Sequence, residues 1–200
     1  ASKAIKFNSS NNGLETGDLG GNLVLISEQT ASSSSNISFT SGIDSTYKEY
    51  VFKFINIHPA TDNTNLTFNG STDSGSNYNV TKTSTMFRAI HNEADNDTIL
   101  EYDTGGDLAQ QTNFQSLIRS IGTDNDQCGV GTLHLFDPSN TTFVKHFIQT
   151  SNSYGSASND YSRNQFFAGY LNTTSAIDAV QFKMSSGDID AGIIKMYGVL

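Results

Sequence analysis

The sequence predicts an all-β protein, a two-sheet antiparallel jelly-roll-like β-sandwich with an extended N-terminal arm, and three observations predict it. Apolar residues recur at every second position, as in YKEYVFKFINI at 47–57, which is the period of a strand and not the 3.6 of a helix. Two prolines, 17 glycines and an excess of Ser, Thr and Asn in 200 residues describe short strands joined by polar turns. Few segments carry the Ala, Leu, Glu and Lys content of helices.

Taken in order, residues 1–21 run through SSNNGLETGDLGG and hold too few apolar anchors for a core, so they read as an arm or loop. Residues 22–200 read as one domain, since 36% hydrophobic and 16% charged content suffices for one core at this length. NLVLIS at 22–27 and the Ile37, Phe39 alternation are expected as two outer strands, separated by the serine run 32–35. In the aromatic strand that follows, Tyr50, Phe52 and Phe54 share the face expected in the core, while Val51, Lys53, Ile55 and Ile57 share the other.

His58-Pro59 should end that ladder, because proline has no N–H to donate. Strands are expected again at 66–68, 78–85 and 87–90, around the turn-rich GSTDSGSN, and at Ile99, Leu100 and Tyr102 after the acidic loop HNEADND at 91–97. The stretch 107–122 fits a helical face of Phe114, Leu117, Ile118 and Ile121 with Asp107 as N-cap, and it fits a strand from Phe114 almost equally. Loop followed by strand is the preferred reading. LHLF, VKHF and 165–171 supply further strands. The run 179–184, with Val180, Phe182 and Met184 inward, and 193–199 are expected to form a closing hairpin across SSGDIDAG. The total is ten to twelve strands, the number of a two-sheet fold.

A net charge of −9 and a pI near 4.6, with Lys and Arg scattered singly, lack the basic stripe that binds phosphates, so neither nucleic acid nor an anionic membrane is an expected partner. No apolar run approaches the roughly 20 residues that span a bilayer. Cys128 is the single cysteine and the start lacks an apolar signal segment, which fits folding in a reducing cytoplasm.

No serine-nucleophile, phosphate-loop or dinucleotide glycine pattern occurs, and a non-enzymatic role with no cofactor is the expectation. His91 beside Glu93, Asp95 and Asp97 is a conceivable metal site, but zinc spacing and the calcium-loop pattern are missing, so no metal ligand is assigned. Asp124, Asn125 and Asp126 read as turn residues. His58, His134 and His146 read as packing residues. The stretch SNSYGSASNDYS offers the one candidate ligand site, a glycan contact: Tyr154 and Tyr161 present aromatic faces for sugar rings, and Asn159 and Asp160 can hydrogen-bond hydroxyls.

The runs FKFINIHPATDNTNLTFNGSTDSGSNYNVTKTST, GTLHLFDPSNTTFVKHFIQ and NTTSAIDAVQFKMSSGDIDAGIIKMYGV resemble small structural proteins, virion and tail-related, of marine tailed bacteriophages. The resemblance covers nearly the whole chain from about Leu23. It implies a virion protein made in the host bacterial cytoplasm and displayed on the particle as capsid decoration or as a tail- or fibre-associated knob. Its implied partners are other capsid or tail proteins and further copies of itself, a trimer by analogy with phage knobs. The alternative is a carbohydrate-binding host-recognition module of a tail fibre or spike that contacts host surface glycan, and behind it a glycan depolymerase. The resemblance brings no catalytic or binding residues with it.

Overall fold

Alternation in the aromatic strand places its rings as expected. The computed structural model describes residues 3–7, 10, 12–18, 22–155 and 160–200. In β5 (Glu49–Pro59) Tyr50, Phe52 and Phe54 are all buried. Ile57, expected on the opposite face, is buried with them. The reason is a β-bulge. Asn56 stands at a φ of +50°, and the pairing slips by one residue on both flanks of β5, between Gly129 and Gly131 on one side and Ala191 and Ile193 on the other. The extra residue reverses the alternation and turns Ile57 into the core.

Among the described residues there is no helix, and strand makes up 59% of the chain. The two outer strands expected from the sequence are β3 (Leu23–Ser34) and β4 (Ile37–Phe39). β3 runs through the serine stretch that was expected to interrupt it, because Ser32 and Ser34 keep their partners on the last strand, β14 (Ile189–Val199). The sheet then runs through β5 to β10 (Gly129–Phe136) and β11 (Lys145–Gly155), on to β9 (Gln115–Ile121) and β6 (Thr64–Ser71), and ends on β13 (Ala179–Met184) and β4. A branch leaves β11 through β12 (Tyr161–Leu171) and β7 (Lys82–Asn92) to β8 (Thr98–Tyr102). All pairs are antiparallel.

This sheet of 12 strands is nearly closed. Its path ends on β3 and β4, which Gln29 links by donating from Nε2 to the Ser38 carbonyl at 2.8 Å. At the opposite corner β11 and β9 share a single ladder pair, Gly155 with Ile121. Ser151 Oγ and Ser153 Oγ, on the inward face of β11, complete that joint by donating to the Leu117 and Arg119 carbonyls at 2.8 and 2.9 Å. Inside, the Phe182 ring of β13 meets Phe52 and Phe54 of β5 with centroids 5.3 and 5.2 Å apart.

Two further expectations are corrected. β13 and β14 do not form a hairpin: β13 pairs with β4 and β6, and β14 with β3 and β5. The exposed turn at 185–188 instead carries the chain over the rim from the β4–β13–β6 side of the sheet to the β3–β14–β5 side, and Gly192, read as part of that turn, lies within β14. Residues 78–81 are not strand. Asn69 takes up the Tyr78 carbonyl through Nδ2 at 2.9 Å, and the ladder begins at Lys82. Within the arm expected at 1–21, β1 (Lys3–Phe7) and β2 (Leu14–Asp18) pair with each other as a separate two-stranded sheet. The segment 107–122 is loop and then β9, as preferred.

Candidate functional site

Tyr154 and Tyr161 lie on strands and not in a loop. They occupy the facing ends of β11 and β12, where Tyr154 is opposite Ser162 and Gly155 is opposite Tyr161. Asp160 precedes β12, and Asn159 lies outside the described residues. The next strand continues the register: Tyr161 is opposite Asn92 and Ser162 opposite His91. The acidic turn 93–97 is thereby brought beside the tyrosines, and the Glu93 N–H donates to the Asp160 carbonyl at 2.9 Å.

The turn is built by Asn92. Its Oδ1 accepts the N–H groups of Asn96 and Asp97 at 3.1 and 3.0 Å, and its Nδ2 donates to Asn96 Oδ1 at 2.6 Å. Asp95 takes the left-handed conformation, φ +54°, which aspartate tolerates better than most residues. His91 Nε2 stands 3.0 Å from Asp95 Oδ1, so the imidazole and this carboxylate partner each other on the rim.

Together these elements enclose a groove of about 380 Å³, lined by His91, Glu93, Asp95, Asn152, Tyr154, Tyr161 and Ser162 among others. Burial pushes the Tyr154 hydroxyl up to about 12, helped by the Asp160, Glu93 and Asp126 carboxylates. The group therefore stays protonated at physiological pH and is a donor. Asn152 Nδ2 donates to Ser162 Oγ at 3.1 Å, and Tyr161 Oη donates to Asp97 Oδ2 at 3.4 Å. By register Tyr154 shares a face with Asn152, Ser162 and His91, whereas Tyr161 leaves from the other face, its ring beside Gly155. The Tyr154 ring beside hydroxyl, amide, imidazole and carboxylate groups can hold a polar ligand with an apolar face, which is the chemistry of a saccharide.

Of the residues around this groove, the sequence points to Tyr154, Tyr161 and Asp160, sets His91, Glu93 and Asp95 apart as a separate loop, and does not single out Asn152 or Ser162. The signal that joins them is strand register, which no single stretch carries. Among the described residues no three His, Cys, Asp or Glu side chains group to hold a metal ion. The remaining histidines serve other surfaces: His134 Nδ1 is 2.5 Å from Glu49 Oε1, and His146 packs its ring against Tyr170. Asp124 and Gln127 close a turn, with the Gln127 N–H donating to the Asp124 carbonyl at 2.8 Å.

The outward face of β8, β7, β12 and β11 carries a second feature. Phe87 and Phe166 stack with centroids 4.6 Å apart and planes within 10° of parallel. Leu100 and Tyr102 stand on the same outward face of the neighbouring strand, and Ile148 on the far side of the band. A hollow of about 490 Å³ lined by Phe136, His146, Ile148, Ala168 and Tyr170 continues it. No protein-family model, no curated protein and no solved structure matches the chain.

Proposed function

We propose that the chain is a non-enzymatic structural protein of a bacteriophage particle, displayed on its surface as capsid decoration or as a tail- or fibre-associated knob and fixed there by contacts between copies. The observation that carries the assembly part is the outward apolar band. Phe87, Leu100, Tyr102 and Ile148 are each about half exposed or more, on one face, and burying such a band against a neighbour is worth about 25 cal/mol per Å². The phage part rests on the three long runs that resemble virion proteins. The finer architecture belongs to the same reading: the run from β3 through β10 and β11 to β8 forms one layer, β9, β6, β13 and β4 form the other, and the pair resembles a jelly-roll sandwich.

Immunogold labelling of purified particles with serum against the chain tests this. Gold spread over heads is the result for decoration, and gold confined to tail tips or fibres is the result for a knob. Unlabelled particles beside labelled cell lysate would remove the virion role.

A second reading is favoured by the tyrosine groove. In it the same protein contacts host surface glycan, with Tyr154 stacking on a sugar ring, Tyr161 bounding the groove from the other face of the strand pair, and Asn152, Ser162 and Asp160 meeting hydroxyls. The two readings are compatible, since a knob displayed at a tail can also be the part that meets the host.

A further inference from the structure

All three arginines of the chain come together. Arg88 on β7, Arg119 on β9 and Arg163 on β12 are its only arginines, and they gather around Asp103. Arg88 Nη1 lies 3.0 Å from Asp103 Oδ2, and Arg119 Nη1 lies 2.6 Å from the same oxygen. Arg88 also donates from Nε and Nη2 to Glu101 Oε1 at 2.9 and 2.6 Å. Two guanidiniums are thus matched by two carboxylates.

Arg163 is matched by none. Among the described residues it makes no hydrogen bond or ion pair, and of its three nitrogens only Nε is closed off from solvent, so the Nη fork stays reachable. Arg119 Nε is enclosed without a partner as well. Burial first, and then repulsion from Arg88 and Arg119, push the Arg163 pKa down to about 10. Asp103 and Tyr161 pull the other way, but Asp103 Oδ2 is already shared by Arg88 and Arg119, so the part-buried Arg163 has no carboxylate of its own, a cost that an arriving anion lowers.

The arrangement is also preorganised. Arg163 sits opposite Ile90 and Gln165 opposite Arg88, so the two arginines are diagonal neighbours on one inward face. Gln165 is buried, accepts the Arg119 N–H at 3.0 Å and donates to Ser153 Oγ at 3.2 Å, which fastens β9 to β12. The Gly105 N–H holds Asp103 through Oδ1 at 2.9 Å. Only the third guanidinium is left with its fork free.

We propose that Arg163, flanked by Arg88 and Arg119, is a binding site for an oxyanion, a carboxylate or sulfate group. The planar fork offers two parallel donors to two oxygens of such a group, and a lysine in its place would offer a point charge. The net charge of −9 repels free anions at long range, so occupancy depends on this short-range fit. The site does not depend on the glycan reading of the neighbouring groove.

Three arginines give three side-chain Nε–Hε correlations in a ¹⁵N NMR spectrum, and variants assign them. Sodium sulfate and sodium glucuronate are titrated into the full chain, with sodium chloride at matched ionic strength as reference. Saturable shifts of the Arg163 and Arg119 signals that chloride does not reproduce are expected, with the Arg119 shift lost in Arg163→Gln. Arg163→Lys should weaken the response roughly tenfold, because it keeps charge and loses the fork. Sulfate alone moving the signals identifies a free-ion site, and glucuronate moving them identifies a site for a sugar-borne carboxylate. Equal responses to all three salts overturn the proposal, as does undiminished binding in Arg163→Gln. Should that variant fail to fold, unchanged affinity in Arg163→Lys overturns it.

Discussion

Phe68 and Phe147 meet edge to face with ring centroids 5.1 Å apart and planes at 80°, joining β6 and β11 through the interior although the two strands share no ladder. Phe182 extends the contact, touching Phe39, Phe52, Phe54 and Phe68 at 5.2 to 6.5 Å. Edge-on pairs of this kind add about 0.5–1.5 kcal/mol each beyond the area they bury.

Phe182→Ala is accordingly expected to cost about 3–5 kcal/mol of stability, read from urea unfolding. Phe143→Ala is the internal control. Its ring is 68% exposed, and a loss under about 0.5 kcal/mol is expected.

The bulge at β5 makes a second prediction. Gly192 has a φ of +129°, and a Cβ there would stand 2.8 Å from Ile57 Cδ1 and 2.9 Å from the Asn56 carbonyl oxygen. Gly192→Ala should lower stability by about 1–3 kcal/mol in thermal melts. Asn56→Gly, which relaxes the left-handed residue facing it, should change stability by less than about 1 kcal/mol.

Lys82 sets a pH dependence. It is fully buried and donates from Nζ to the Val80 carbonyl at 2.7 Å, and burial pushes its pKa from an ordinary 10.5 down to about 7. Between those two values the unfolded chain holds a proton that the folded chain has released, so stability rises with pH across that window, and the penalty is in full force below pH 7. At ~1.4 kcal/mol per pH unit the effect is bounded at roughly 5 kcal/mol. Lys82→Met should raise Tm at pH 6 and flatten its rise from pH 7 to 10.

For the groove, Tyr154→Ala is expected to weaken binding to isolated host-surface glycan about tenfold, measured by calorimetry, and Tyr161→Ala, whose ring leaves from the other face, to weaken it less. Tyr154→Phe tests the hydroxyl alone. Unchanged affinity in both alanine variants would remove sugar stacking from this groove.

The interior was legible because alternation is a local signal: Tyr50, Phe52, Phe54, Val180 and Phe182 could be assigned to the core from spacing alone. Ile57 could not, since its burial depends on one extra residue at Asn56, which carries no more warning than any other asparagine in a chain rich in them. The hairpin expected between β13 and β14 failed for a related reason. A short polar turn is compatible both with pairing and with passing over the rim to the other side of the sheet, and partners far away in sequence decide which. The groove has the same origin, because 91–95, 152–154 and 161–162 become one site only through the register of β11, β12 and β7. The arginine cluster was hidden by distance too, for three arginines spread over 76 positions read as isolated charges.

The pairing of β3 with β14 has a consequence for the order of events in the cell. Leu23 is bonded in register to Val199 and Ser34 to Ile189, so the first long strand waits for the last. While the ribosome is still making the chain, β3 has no neighbour, and closure spans more than 150 residues of intervening sequence. Such long-range pairing makes folding slow and holds back closure until β14 has left the ribosome. A product cut short before residue 189 would leave β3 and one flank of β5 as bare edges, the form in which strand proteins aggregate.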